Sequence, residues 1–462
     1  MISEDELRAL ELLKNNTKIA TLNGKTYRRT PPSEHYYLHQ FFWDSCTHAM
    51  GLVYYDPQWA YEELASLLAA QWENGFIGHI IYSEDEKRYF PTKELWGTEK
   101  FSQKSFVSSG FIQPPLLAIS LNHIDEVLHD KGEKTDGVDS LIAGVVRYHN
   151  YLKRFRDRED SGLLTIIHPW ESGCDNSPRW DSVMENIDLK TIPQRIIDLV
   201  RTNRKDISAS TELNRPRAEY YYRYLYLIDL YKQQQWDTDV ILDITPFAVK
   251  DVQVSSIWAK ANQSLAAIMK RRGRIKEADY FSSLAEQTNE TIRKCWNEKA
   301  HSYANFDVSH GQKKLIYSDD FANFMPLYSH AASDKQVTAL LTQLSDPQKY
   351  WTKYPVPSVS PKSPFFEITR YWRGPTWPIV NLFILEGLKG YTAHKQCQKL
   401  FKELVKKTAD MIRTIGFYET YDPNTGLADT YKDTFSGMGY ADFSWSAAIY
   451  LYLKNKYPEI VR

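Results

Sequence analysis

The chain has 462 residues, with 57 basic against 58 acidic side chains and a formal net charge of −1. That balance excludes the cation excess with which a nucleic-acid binder displaces counterions from phosphates, and no apolar run reaches the roughly 20 residues that span a bilayer, so neither nucleic acid nor membrane is an expected partner. Cys46, Cys174, Cys295 and Cys397 are far apart and form no CxxC pair, the start MISEDELRALELLKNN lacks the basic-then-apolar order of a signal peptide, and the expected location is the reducing cytoplasm.

Taken in chain order, helical periodicity appears over 57–71, 138–155, 218–234, 254–271, 274–295, 376–389, 396–414 and 440–454, with apolar residues three and four apart. Asp56-Pro57 places a capping side chain before a first-turn proline, and Ser210-Thr211-Glu212 reads as a similar helix entry. Strand-like alternation is scarce; 76–82 and 163–168 are the best short candidates. The total comes to about twelve to fourteen helices, joined by long loops at 72–110, 156–180, 301–318, 344–375 and 414–439. Loops of such length in a compact domain are usually functional. No Gly-, Ser- or Pro-rich linker divides the chain, so the expectation is one all-α domain over 1–462 with excursions near 72–110, 156–180, 301–318 and 344–375. Helices with long loops gathered at one end describe a toroid of paired helices, although periodicity alone leaves other large helical arrays open.

The loops carry the chemistry. Aromatic residues make up 14% of the chain, with 13 Trp and 31 Tyr, many in polar stretches where a ring can stack on a pyranose while neighbours bind its hydroxyls. His168 to Asp181 packs two Trp, three carboxylates, an Asn and an Arg into 14 residues; Asp175 falls just before the helix entry Asn176-Ser177-Pro178. Gly416 to Gly426 holds Glu419 between aromatics ahead of a tight turn. Arg370 to Pro378 combines two Trp with two Arg, a surface suited to an anion. Tyr36 to Asp44 and the corner Phe111-Ile112-Gln113-Pro114-Pro115 add further aromatic and polar side chains. Each also has a plain reading as cap, turn or helix start. Walker, GxGxxG, HExxH and GxSxG patterns are absent, as is any His/Cys cluster at zinc spacing, so no metal and no cofactor are expected.

Trp43-Asp44, GFIQPP, ESGCDNSPRWD, YWRGPTWP and GFYETYDPNTG, in this order, resemble the signature segments of glycoside hydrolase family 63. Together they cover about residues 36–450. Within the family the resemblance is greatest to the bacterial mannosylglycerate and glucosylglycerate hydrolases, whose segment YFPTKELWGT (89–98) also looks alike. The resemblance implies an (α/α)6 barrel and an inverting α-glycosidase, with Asp175 as general acid and Glu419 as general base. It implies a sugar site built from Tyr36, Trp43, Asp44, Gln113, Trp170, Gly173, Tyr371, Trp372 and Trp377, and a carboxylate-binding arginine that is either Arg215 or Arg217. The implied substrate is a small α-glucoside or α-mannoside with a glycerate-type aglycone; the alternative is a neutral oligosaccharide, as for an α-glucosidase or trehalase. Sugar epimerases share the barrel but move protons with His, and His168 is the one His beside a main segment. Cys174 fills a position where the family suggests no thiol, 301–318 matches nothing in it, and a homo-oligomer is compatible with the sequence.

Overall fold

Asp56 shows how local chemistry starts a helix here. Its side chain accepts the Trp59 N–H at 2.9 Å, and Pro57 occupies the first turn of Pro57–Ala69, where a missing N–H costs nothing. The computed structural model describes residues 2–461 except 35, 84–87, 104–105, 205, 207–214, 427–434 and 437–438; the helix entry expected at 210–212 and part of the loop 414–439 lie outside the described residues.

The helices sort by burial. Phe42–Leu52 is buried at every position, and Leu117–Asp130, Val252–Arg271, Met325–Tyr328, Pro378–Gly390 and Ser444–Lys456 are buried over most of theirs. A helix enclosed all round belongs inside a protein. These six form a closed ring: each packs on the next in chain order, and Ser444–Lys456 returns to pack on Phe42–Leu52. Glu4–Asn16 precedes the first of them, and between successive ones run Pro57–Ala69, Asp136–Arg156, Ile275–Lys294, Asp334–Leu344 and Lys395–Ile415, each turning one face to the core. In Lys395–Ile415 the buried stripe is Cys397, Leu400, Phe401, Leu404, Val405, Thr408, Met411 and Ile412, the spacing of one helical face. Six inner and six outer helices in strict alternation make an (α/α)6 barrel. The described residues hold seventeen α-helices, more than the sequence suggested, because several are single turns.

Strands are more numerous than expected. Lys18–Leu22 and Lys25–Arg29 pair antiparallel around Asn23-Gly24, both at positive φ, the residue pair that favours a tight hairpin turn. Thr165–Ile166, Val249–Lys250, Asn305–Asp307 and Lys314–Ile316 form one antiparallel sheet. The segment 301–318 is thus part of a brace under the chain that leads to Asp175. Ile80–Ile81 pairs with Gln40–Phe41 just before the first inner helix. One continuous apolar cluster runs from Ala9 to Val461. All four cysteines are free and buried. Among the described residues no helix is long and apolar enough to cross a membrane.

Candidate active site

The inner helices deliver their N-terminal ends to one mouth of the barrel. Trp43 and Asp44 stand in the first turn of Phe42–Leu52, Gln113 just before Leu117–Asp130, Trp377 at the entry of Pro378–Gly390 and Trp445 in the first turn of Ser444–Lys456. With Asp175 and Glu419 they line a cavity of about 710 Å³, its open mouth included. Tyr36, Trp170, Gly173, Arg215, Tyr371 and Trp372 line it too.

The Asp175 loop is clamped on both sides. Upstream, Glu171 is fully buried against Arg156 at 2.6 Å and accepts the Ile112 and Ile167 N–H groups. Downstream, buried Arg179 binds Asp251 and Asp320 at 2.9 Å and Gln253 at 2.6 Å, while Ser177 donates to Asp320. Asn176 accepts the Trp372 N–H at 2.9 Å. These contacts sort the three carboxylates of the segment. Glu171 serves Arg156, and Asp181 serves Arg373 and Tyr220, so neither is a polyol ligand. Asp175 alone presents its carboxyl to the cavity. Burial pushes its pKa up to about 8 against the pull of Arg215, and Glu419 and Asp206 push the same way. The adjacent Cys174 thiol is also raised by burial and is no thiolate.

Glu419 sits in the opposite company. It is 1% exposed, and four groups able to donate lie on its carboxylate: Tyr37 at 3.1 Å and Tyr371 at 3.3 Å on Oε1, themselves 2.8 Å apart so that one proton is shared between them, and Arg215 Nη2 at 3.2 Å and the Tyr440 N–H at 3.3 Å on Oε2. Burial opposes the charge of Arg215, yet Tyr37 and Glu419 hold its pKa above the ordinary value. Arg215 lies against the rings of Tyr371 and Tyr440 at 4.6 and 4.8 Å, a cation–π setting.

The two candidate arginines separate cleanly. Arg215 lines the cavity, whereas the Arg217 side chain is 63% exposed and pairs with Glu367 at 3.4 Å. Arg370 and Arg373, which the sequence offered as an anion-binding surface, are turned to scaffolding. Arg370 binds Glu367 and the Arg215 carbonyl, and Arg373 binds Asp181.

Aromatic walls complete the site. Trp372 and Trp377 stack at 3.7 Å with planes 5° apart, and Trp43 lies 6.2 Å from Trp372 and 5.7 Å from Trp445. Gly173, at φ +72°, lets the Trp43 ring approach: a Cβ there would meet the Trp43 ring at 2.5 Å. Gln113 accepts the Trp43 N–H at 3.0 Å with its oxygen, which leaves its NH2 for the cavity. Asp44 is buried, and burial together with Glu419 raises its pKa well above the carboxylate range.

Several lining residues escaped the sequence reading: Tyr37, His79, Tyr89, Asp206, Tyr221 and Trp445. Tyr37 was within reach, being next to Tyr36 in the same aromatic segment. Asp206 is held by Arg204 at 2.6 and 2.9 Å and accepts the Tyr221 hydroxyl at 2.9 Å, a unit spread along the chain that no local pattern marks. His79 contacts Ser109 at 2.6 Å, and burial lowers its pKa to about 3, so it meets the cavity as a neutral ring. His168, the histidine the epimerase alternative depended on, instead caps the Trp170 N–H and stacks on Phe111 at 4.2 Å, outside the cavity wall.

Comparison with known proteins agrees with this architecture. A mannosylglycerate hydrolase from Rubrobacter radiotolerans is 32% identical over 91% of this chain and 92% of its own length. A glucosylglycerate hydrolase from Mycolicibacterium hassiacum is 30% identical over 90% of this chain and 91% of its own. The crystal structure of the family 63 mannosylglycerate hydrolase from Thermus thermophilus in complex with Tris and D-glycerate superposes with a TM-score of 0.82 at 30% identity, covering 97% of this chain and 99% of that one. The model of the mannosylglycerate hydrolase MGH1-like glycoside hydrolase domain matches residues 37–446. The chain belongs to this family of glycoside hydrolases, within family 63.

Proposed function

We propose that the chain is an inverting α-glycosidase, a single catalytic domain that releases glycerate or a similar small anion from an α-mannoside or α-glucoside, with Asp175 as general acid and Glu419 as general base. The observation that carries this reading is the contrast between two carboxyls on one cavity. Burial keeps a proton on Asp175 up to a pH of about 8, whereas Glu419 is surrounded by donors. A carboxyl that keeps its proton, facing a second one ringed by donors, suits the pairing of acid and base.

In the reaction, Asp175 gives its proton to the glycosidic oxygen as the bond to the anomeric carbon breaks. Glu419 takes a proton from a water that attacks that carbon on the opposite face, so the sugar leaves with inverted configuration. Room for the water calls for a carboxyl separation of roughly 6.5–9.5 Å. Trp43, Trp372 and Trp377 offer faces to the sugar, and Asp44 and the Gln113 NH2 reach its hydroxyls. Arg215 is the one lysine or arginine lining the cavity among the described residues, and its planar fork, which binds Glu419 at 3.2 Å and acts by its charge on Asp175, fits an aglycone carboxylate. The relatives named for mannosylglycerate and glucosylglycerate support that aglycone, and the buried free thiols suit work in a reducing compartment.

The test is a panel of α-mannosides and α-glucosides with and without a carboxylate on the aglycone, followed by proton NMR of the first-formed sugar. The expected result is preference for the carboxylate-bearing substrates and release of the β-anomer. Faster cleavage of neutral oligosaccharides, or first release of the α-anomer, would contradict the reading.

A further inference from the structure

Hydrolysis needs a water hydrogen-bonded to Glu419, and four polar groups already crowd its carboxylate. An ionised carboxylate offers about four acceptor positions. Tyr37 and Tyr371 flank Oε1, and Arg215 and the Tyr440 N–H flank Oε2. The Tyr371 hydroxyl, 3.3 Å from Oε1, stands within the hydrogen-bonding shell that a water on that oxygen would have to enter.

Resting on the assignment of Glu419 as base, we propose that the base is masked in the free protein, and that an anionic aglycone unmasks it by drawing Tyr371 and Arg215 onto its own carboxylate. Tyr371 is then a positioning residue that determines specificity: it makes turnover, and not only binding, depend on the aglycone's charge.

The backbone decides which donors can leave. The Tyr440 N–H cannot, because Glu419 and Tyr440 exchange bonds in both directions, the Glu419 N–H donating to the Tyr440 carbonyl at 2.8 Å. Tyr37 is held edge-on between Phe41 and Phe443 at 5.4 and 5.8 Å and accepts from Arg215 Nη1 at 3.0 Å. Tyr371 is different. Its contact with Glu419 is longer than that of Tyr37, and the Tyr37 oxygen at 2.8 Å gives its proton a second acceptor. Its φ of +35° places a non-glycine residue in the left-handed region, an arrangement that stores backbone strain. Trp372, next to it, is also non-helical within the short turn Tyr371–Arg373.

Arg215 and Tyr371 both line the cavity, with the guanidinium 4.6 Å from the tyrosine ring. A carboxylate that takes the guanidinium fork also competes for the adjacent phenol. Glu419 is left with an open acceptor position and with less of its charge engaged by donors. A neutral substrate with the same sugar would bind but face a masked base, so its deficit falls on kcat more than on KM.

The experiment uses α-mannosyl and α-glucosyl fluoride, which carry the sugar without an anionic aglycone, with and without added D-glycerate. We expect D-glycerate to raise kcat saturably by about tenfold, a fraction of the roughly 10²–10⁴ a general base supplies. Tyr371→Phe, which lacks the masking hydroxyl, should turn over the fluoride faster than wild type in the absence of glycerate and gain little from adding it. If D-glycerate leaves wild-type kcat unchanged or only inhibits, while Glu419→Gln is inactive on the fluoride, masking is overturned and the base assignment stands. If Glu419→Gln keeps fluoride turnover, the base assignment falls and masking falls with it.

Discussion

The Trp43 ring rests against the Cα of Gly173 so closely that a single added Cβ would come within 2.5 Å of it. Gly173 ends the turn Pro169–Ser172 two residues before Asp175, so the contact joins the first inner helix to the loop of the proposed acid. Gly173→Ala meets both this clash and the penalty of φ +72° for a side chain. The expected outcome is a folded protein, by circular dichroism, whose kcat/KM falls roughly 10²-fold, the scale of a misplaced catalytic group.

The acid and base roles separate by leaving group. Asp175→Asn should lose roughly 10²–10⁴ in kcat on a glycerate-linked substrate and far less on a glycosyl fluoride, whose leaving group needs less proton assistance. Glu419→Gln should lose comparably on both when D-glycerate accompanies the fluoride. Equal losses for Asp175→Asn on the two substrates would remove it from the acid role.

With Asp175 as the proposed acid, its proton should set the alkaline limb of activity. With its pKa near 8, kcat/KM should fall as pH rises through about 8 and the acid ionises. The same shift acts on stability with a definite sign. Between the ordinary value of 3.8 and about 8 the folded state binds more protons at this group than the unfolded state. Stability therefore declines as pH rises through that window. Asp175→Asn removes the decline, so the Tm of the variant relative to wild type should climb from pH 4 to pH 8. A difference that stays flat with pH would show that Asp175 is not the buried proton holder described.

The Arg156–Glu171 pair gives a structural control. Both groups are almost fully buried, and Glu171 also satisfies the Ile112 and Ile167 N–H groups. Glu171→Gln leaves the guanidinium charge without its counterion, a change that costs about 3–5 kcal/mol. Urea unfolding should show that loss as a lower midpoint, with activity falling because the Asp175 loop loses its upstream anchor.

What could be read from the sequence follows from the length over which a signal repeats. The stripe from Cys397 to Ile412 spans four turns, and its helix was placed within a residue at either end. Met325–Tyr328 is a single turn, too short for any period, yet it is one of the six inner helices. In the brace beneath the acid loop, Thr165–Ile166 falls inside the strand candidate 163–168, but the other strands, of two and three residues, are too short to alternate visibly. The helix expected from 440 begins at Ser444 because Gly439 and Tyr440 pair as a strand instead, which holds Glu419 from behind. Asp175 and Glu419 stood out because each lies among aromatics in a loop. The choice between Arg215 and Arg217 rests on direction, which spacing along an irregular segment does not encode. Arg217 precedes the helix Ala218–Gln233 and turns outward to Glu367.

The closure of the ring has a consequence for synthesis. Ser444 donates its N–H to the Pro32 carbonyl, the Asn16 amide reaches Asp442 and Ser444, and the sixth inner helix packs on the first. Tyr37 and Trp43 therefore wait for Glu419 and Trp445, far later in the chain, before the cavity has walls. On the ribosome the earlier helix pairs can form as they emerge, but they remain an open arc. The cavity is therefore walled only once the final inner helix has closed the ring.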